Sequence, residues 1–231
     1  MPFLLEIAVQ SVAAAIAAQA AGAHRIELCA DLDEGGVTPT FATMQEARTA
    51  LTIPIFAMIR LRPGNFVYSD SEFATMREQI QQAKSAGLDG VVLGILTANR
   101  EIDVARTVAL VAESAPLPVT FHRAFDEAGA TLALLEQVIA TGAKRVLTSG
   151  GASSAPEAAA HIAELIDTAN GRIIVMPGAG INATNFLETR RATGADEFHA
   201  GLGSVQPYGS SDLSRFSMEI RSIAAHKTTG D

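Results

Sequence analysis

Eight short apolar runs divide the chain at near-regular intervals, at 4–9, 25–29, 55–60, 90–95, 118–123, 145–150, 172–176 and 197–201. Most are rich in Val, Ile, Leu or Phe, as parallel strands covered on both faces are. The segments between them carry helical spacing. Phe73, Met76 and Ile80 recur three and four apart in 72–86, as do Ile102, Ala105, Ala109 and Ala112 in 101–113, and Leu132, Leu135 and Ile139 in 128–140. Gly22, Gly87, Gly142 and Gly194 each stand at the close of a helix-like run, where glycine takes the left-handed cap conformation at no steric cost. Ser71 and Asn182 are suited to N-caps. Strand and helix alternating in this way require parallel strands joined by helical crossovers. Eight units in 231 residues fit a single-domain α/β fold, the (β/α)8 TIM barrel, over 1–226, with 227–231 a frayed tail. A doubly wound open sheet is the alternative. It usually carries a glycine-rich turn after its first strand, where this chain has Gln10-Ser11.

Composition narrows the function classes. Hydrophobic residues are 48% and charged residues 18%, which excludes intrinsic disorder. Seventeen Lys and Arg against 25 Asp and Glu give a net charge of -8, opposite to that of a nucleic-acid binder. No run approaches the about 18 apolar residues of a membrane span. Glu6 and Gln10 interrupt the Ala-rich start and no Lys or Arg precedes Arg25, so no secretory leader is expected. A single cysteine, Cys29, excludes an internal disulfide and a Cys-rich zinc site. A reduced, cytoplasmic protein is the expectation.

In a barrel the loops after the strands form one face, where active sites are built. The loops 30–39, 61–70 and 202–211 are the long ones. Polar residues within or at the ends of the apolar runs therefore converge on one mouth. Glu6 lies in the first run, and Glu27 and Cys29 share a face of the second. Arg60 and Arg62 end the third, and Thr120 and His122 share a face of the fifth, followed by Arg123 and Asp126. Thr148 and Ser149 close the sixth, and His199 lies in the eighth. One reading is structural, an ion-pair network plugging the barrel with Glu6 and Glu27 paired to arginines. The other is an acid/base and anion pocket. In it His122, with its near-neutral intrinsic pKa, moves a proton beside Glu27, Asp126 and Glu6, while Arg60, Arg62, Arg123, Thr148, Ser149 and His199 bind an anion. Gly150, Gly178, Gly180 and Gly201 follow the last three strands and suit a phosphate cradle at a helix N-terminus, or simply tight turns. A divalent ion reached by Glu6, Glu27 and His199 stays open. Cys29 reads as packing, with Glu27 raising its pKa. Met58 and Met176 read as core.

Leu5-Glu6-Ile7, Arg25-Ile26-Glu27-Leu28-Cys29, Glu34-Gly35-Gly36-Val37-Thr38-Pro39, Tyr68-Ser69-Asp70, Pro118 to Asp126, Arg145 to Gly150 and Glu197-Phe198-His199 occur in this order. Together they resemble the copper homeostasis protein CutC family over roughly residues 4–203. The resemblance implies a TIM barrel and copper handling in the cytoplasm. It further implies copper(I) held by two cysteines, one on each of the first two strands. Cys29 stands at the second position and Ala8 at the first, and Ala200 stands where a cysteine often follows the Glu-Phe-His motif. The family's arginine-proline-arginine-glycine-glycine-aspartate loop reads Arg60-Leu61-Arg62-Pro63-Gly64-Asn65. Both arginines favour an anion at that mouth. Two functions follow: copper binding through Cys29, or acid/base catalysis on a small phosphorylated or carboxylated metabolite. The expected partners are a small anionic ligand and a second copy of the chain, with no nucleic acid, no membrane and no cofactor other than copper(I).

Overall fold

The computed structural model describes residues 3–201, and the expected loop at 202–211 and tail at 227–231 lie outside them. Its elements alternate as the spacing requires: β1 (Leu4–Val9), α1 (Val12–Ala21), β2 (Arg25–Leu28), α2 (Phe41–Ala50), β3 (Ile55–Met58), α3 (Asp70–Ser85), β4 (Gly90–Leu93) and α4 (Val104–Ser114). There follow β5 (Val119–Phe121), a single-turn α5 (Ala124–Glu127), α6 (Leu132–Ala140), β6 (Arg145–Thr148), α7 (Ala159–Ala169), β7 (Ile174–Pro177), α8 (Phe186–Thr193) and β8 (Glu197–Gly201).

All strand pairs are parallel and the order is β7-β6-β5-β4-β3-β2-β1-β8. The eighth strand returns to the first without the reversal of order that defines a doubly wound sheet, so the sheet is a nearly closed TIM barrel. No strand pairing joins β7 to β8 among the described residues. The seam is close-packed all the same. A Cβ on Gly178 would lie 3.2 Å from the His199 Cβ and would overlap Leu147.

Local chemistry sets the helix ends. Gly22 takes φ 100° and its N–H reaches the Ala18 and Gln19 carbonyls, closing α1. Ser69, rather than Ser71, caps α3. Its hydroxyl accepts the Glu72 N–H and the Glu72 carboxylate accepts the Ser69 N–H, a reciprocal arrangement for which Ser71 has no acidic partner three residues on. Asn182 does not cap α8 either. Its Oδ1 accepts the Thr184 N–H in a turn, and the helix starts four residues later at Phe186. The expected helix over 128–140 is shortened to α6 because Gly129 and Ala130 take φ 111° and 49°, and Thr131 then caps.

Strand alternation sorts the side chains. Leu5, Ile7, Val9, Ile26, Leu28, Ile55, Val91, Phe121 and Phe198 face the helices in one apolar core. The opposite faces carry Glu6, Arg25, Glu27, Arg145 and His199, all buried. The apolar character expected on both faces therefore holds mainly on the helix side. Arg25 pairs with Glu6, and its Nη2 lies 2.8 Å from Glu197 and 3.3 Å from the Met176 sulfur. Arg145 lies 3.0 Å from Glu197. The two guanidiniums flank the Phe56 ring at 4.8 and 5.2 Å. An ion-pair network thus does fill the barrel, and it pairs Glu6, but not Glu27, with an arginine.

Candidate functional site

Above this plug lies a cleft of about 360 Å³, walled by strand ends and the loops that follow them. Ala8, Glu27, Met58, His122, His199 and Gly201 come from strands or their last turns; Arg60, Phe66, Arg123 and Gly180 come from loops or strand ends.

Glu6, Arg25 and His199 occupy one level, because Glu6 is the register partner of Arg25 on β2 and of His199 on β8. The Glu6 carboxylate is fully engaged: Oε2 takes Arg25, and Oε1 lies 2.8 Å from His199 Nδ1. Burial alone would raise its pKa, but the Arg25 guanidinium and the His199 hydrogen bond bring it to about 2. Glu6 is therefore an acceptor only, and His199 donates through Nδ1–H. Burial pulls His199 down, while Glu27 and Glu6 push harder the other way, so its pKa is raised. Its free nitrogen, Nε2, stands 3.8 Å from Glu27 Oε2. Burial, reinforced by the Glu6 charge and opposed by His199, raises Glu27 as well. Glu27 Oε2 accepts the Cys29 thiol at 3.6 Å, while Oε1 is buried with no partner among the described residues. Glu27 and His199 thus face each other across 3.8 Å beside a carboxylate held in its ionised form.

His122 is the second imidazole of the cleft. Its Nδ1 accepts the Ala124 N–H at 3.2 Å. Its ring lies 4.7 Å from Phe66 and directly over Gly94, where any Cβ would come within 2.6 Å of it. Burial and the nearby Arg60 charge lower its pKa to about 3, so the ring is neutral. Nε2 is buried without a partner among the described residues.

The expected anion binders separate into groups. Arg60 is on the wall, but it ties loops together: its guanidinium donates to the carbonyls of Glu34 (3.0 Å), Gly36 (2.9 Å) and Gly64 (3.1 Å) and lies over Phe66. Arg62 turns away from the cleft to Glu72 (2.6 Å) and the Val67 carbonyl (2.8 Å), its guanidinium over Tyr68. Arg123 lines the cleft with a half-exposed side chain, held by Asp126 (2.9 Å) and the Ser149 hydroxyl (3.1 Å). Asp126 accepts the Thr148 hydroxyl and the N–H groups of Ser149 and Gly151. Its carboxylate, with Thr148 and Ser149, thus staples the loop after β6. Gly150 sits in a tight turn where a Cβ would come within 2.6 Å of Ala158. Of the other glycines, Gly178 packs the seam, and Gly180 and Gly201 reach the cleft wall. The helix start expected beside Gly180 is replaced by Asn182 and Asn185, whose side-chain amides donate to the Gly180 carbonyl.

Cys29 is buried, and burial, with Glu27 beside it, drives its pKa well above the ordinary thiol value. It packs with Phe56, Met58 and Val92 beneath Gly36, and it is not among the cleft-lining residues. Oxygen and nitrogen atoms of Glu6, Glu27 and His199 do lie within 4.8 Å of one another. Both Glu6 oxygens are already taken, and the Arg25 cation would stand against any ion there, which opposes metal binding.

Four contributors escaped the sequence reading. Arg25, Arg145 and Glu197 build the plug with Glu6, and the signal for them was alternation: each lies an even number of residues from Glu27, Ser149 or His199. Phe66, which packs against both His122 and Arg60, lies in a loop with no periodicity to reveal it.

The chain is similar to known proteins over most of its length. The family model described as CutC matches residues 3–204. A family protein CutC from Chromobacterium violaceum is 50% identical over 200 residues, 87% of this chain and 81% of that one. The human copper homeostasis protein cutC homolog is 46% identical over 207 residues, covering 90% and 76% of the two chains. The crystal structure of CutC from Streptococcus agalactiae superposes with a TM-score of 0.81 at 35% identity, covering 86% of this chain and 98% of that one. The family model spans all of the described residues and the relatives are well above a third identical over most of the chain: the chain belongs to the CutC family.

Proposed function

We propose that the barrel mouth is a proton-transfer site for a small anionic metabolite, phosphorylated or carboxylated, in a cytoplasmic protein that works as a homodimer. The observation that carries this reading is the chain of contacts Glu6–His199–Glu27. A buried carboxylate, fixed in its ionised form by Arg25, holds His199 in one tautomer with Nε2 toward Glu27. Carboxylate-oriented imidazoles of this kind serve as general bases, and Glu27, raised by burial, and His199, raised by the two carboxylates against its burial, are both shifted from their ordinary values. Either group takes a proton from a molecule in the cleft and returns it. Arg123 supplies a cation at the rim for the substrate's anionic end.

Copper handling is what the names of the mouse and human relatives state. Copper(I) favours pairs of soft thiolates. Here Cys29 stands alone opposite Ala8, its thiol is held protonated by burial and Glu27, and only the thioether of Met58 shares its cluster. These residues do not fit a two-thiolate site.

The test is a thermal-unfolding screen of phosphorylated and carboxylated metabolites on the wild type and Arg123→Met. Stabilisation by one class, lost in the variant, is the expected result. Failure of every anion to stabilise the wild type overturns the reading.

A further inference from the structure

We infer that His122 presents a fixed Nε2–H donor to a carbonyl oxygen of the bound molecule, so that the site acts on carbonyl compounds that lose a proton from the adjacent carbon. The inference rests on the proposed proton-transfer function and names its substrate class.

A backbone N–H can only donate. The Ala124 N–H is directed at His122 Nδ1 at 3.2 Å, so Nδ1 carries the lone pair. A neutral imidazole has one N–H, and it must then be on Nε2. Packing keeps the ring from turning. Phe66 lies against it at 4.7 Å, and Gly94 leaves room for the ring only by having no side chain. Nε2 is buried, yet it has no acceptor among the described residues, and His122 is on the cleft wall. Buried donors nearly always have partners, so one locked in place and unmatched is set up for an acceptor brought by a ligand.

The kind of acceptor follows from charge. The rim cation Arg123 serves an anionic group, whereas His122 is neutral. A neutral donor in a low-dielectric wall suits an oxygen that is uncharged in the substrate and becomes negative during the reaction. Glu27 and His199 line the same cleft. The step balances without a further reactant. The C–H bond beside the carbonyl breaks and its proton goes to the Glu27–His199 pair. The C–H electrons form a C=C bond, and the carbonyl π pair moves to the oxygen that accepts from His122. Return of the proton to the same carbon, with the oxygen's pair restoring the C=O bond, completes an exchange or an inversion at that carbon.

Two measurements test this on the full chain. The first is a long-range ¹H–¹⁵N spectrum of histidine-labelled, ligand-free protein at neutral pH. The expected result is a neutral His122 protonated at Nε2; a proton on Nδ1, or an imidazolium, overturns the inference. The second follows deuterium uptake from D₂O into dihydroxyacetone phosphate, pyruvate and 2-oxoglutarate as probes. Exchange of at least one probe above the buffer rate is expected. It should fall about a hundred-fold in His122→Phe and recover in part in His122→Gln, which restores a donor. Exchange of no probe overturns the inference. If the probes still protect the protein through Arg123, the anion site survives; if none protects, the proposed function falls with it.

Discussion

His199 and Glu6 stand opposite each other across the parallel pair of β8 and β1, and the imidazole Nδ1 lies 2.8 Å from the carboxylate. On its other side Glu6 faces Arg25. One carboxylate thus joins a structural ion-pair network below to the facing His199 and Glu27 above. Its removal should be felt in both stability and chemistry.

Glu6→Gln should destabilise the fold by about 1.5–3 kcal/mol, because it removes a charged hydrogen bond from the buried Arg25 and leaves Glu197 as its ionic partner. The pH profile should change in a defined direction. The Glu6 pKa is depressed from 4.5 to about 2, so its stabilising contribution is complete above the ordinary value and is lost as pH falls through the native one. Urea unfolding of the wild type should therefore weaken between about pH 4.5 and 2 more than that of Glu6→Gln. Equal slopes in the two proteins would contradict the assignment.

His199 has the opposite sign. Its pKa is raised in the folded state, so its contribution is present in acid and is lost as pH rises through that raised value. In His199→Gln the loss of stability on the alkaline side of the ordinary histidine range should disappear. Histidine NMR titration of the wild type checks the same point directly.

Gly94→Ala changes no charge, yet it should abolish any activity that depends on His122. The new methyl would lie 2.6 Å from the ring and push it off its seat on Phe66. Overpacking of this kind costs about 1–3 kcal/mol, which calorimetry would register, and the His122 NMR signals should move while those of His199 stay.

Cys29 should be inert in the native protein. It is 1% exposed and its thiol is held protonated. An aromatic disulfide reagent should label it only after denaturation. In an anaerobic copper(I) competition titration, wild type and Cys29→Ala should bind equally weakly. One tight equivalent lost in the variant would instead make Cys29 a copper ligand.

Asp126→Ala should loosen the loop after β6, since it removes the acceptor for Thr148 and for the N–H groups of Ser149 and Gly151. A stability loss of about 1–3 kcal/mol and faster amide exchange at 149–151 are expected, together with weaker anion binding through the unsupported Arg123.

The barrel was legible because eight apolar runs separated by helical spacing leave few topologies. That Glu27, His122 and His199 meet on one cleft wall was legible because polar groups in apolar strands require a reason to be there. What stayed hidden was register. Glu6 and His199 are 193 positions apart in sequence, and only the return of β8 to β1 makes them partners. The division of labour between the two histidines turned on this. Nothing in the local sequence says that one imidazole gains a carboxylate while the other gains a backbone N–H and an aromatic ring. The arginines show the same limit. Arg60 and Arg62 are two residues apart, yet one straps loops at the cleft wall and the other pairs with Glu72 outside it.

The unpaired seam between β7 and β8 sets a mechanical boundary. β8 hangs from β1 by one ladder, so His199 travels with Glu6 and Glu27, while Gly180 belongs to the wall carried by β7. Between these two walls the cleft is held by side-chain packing around Gly178, where the other seven joins of the barrel are held by backbone ladders.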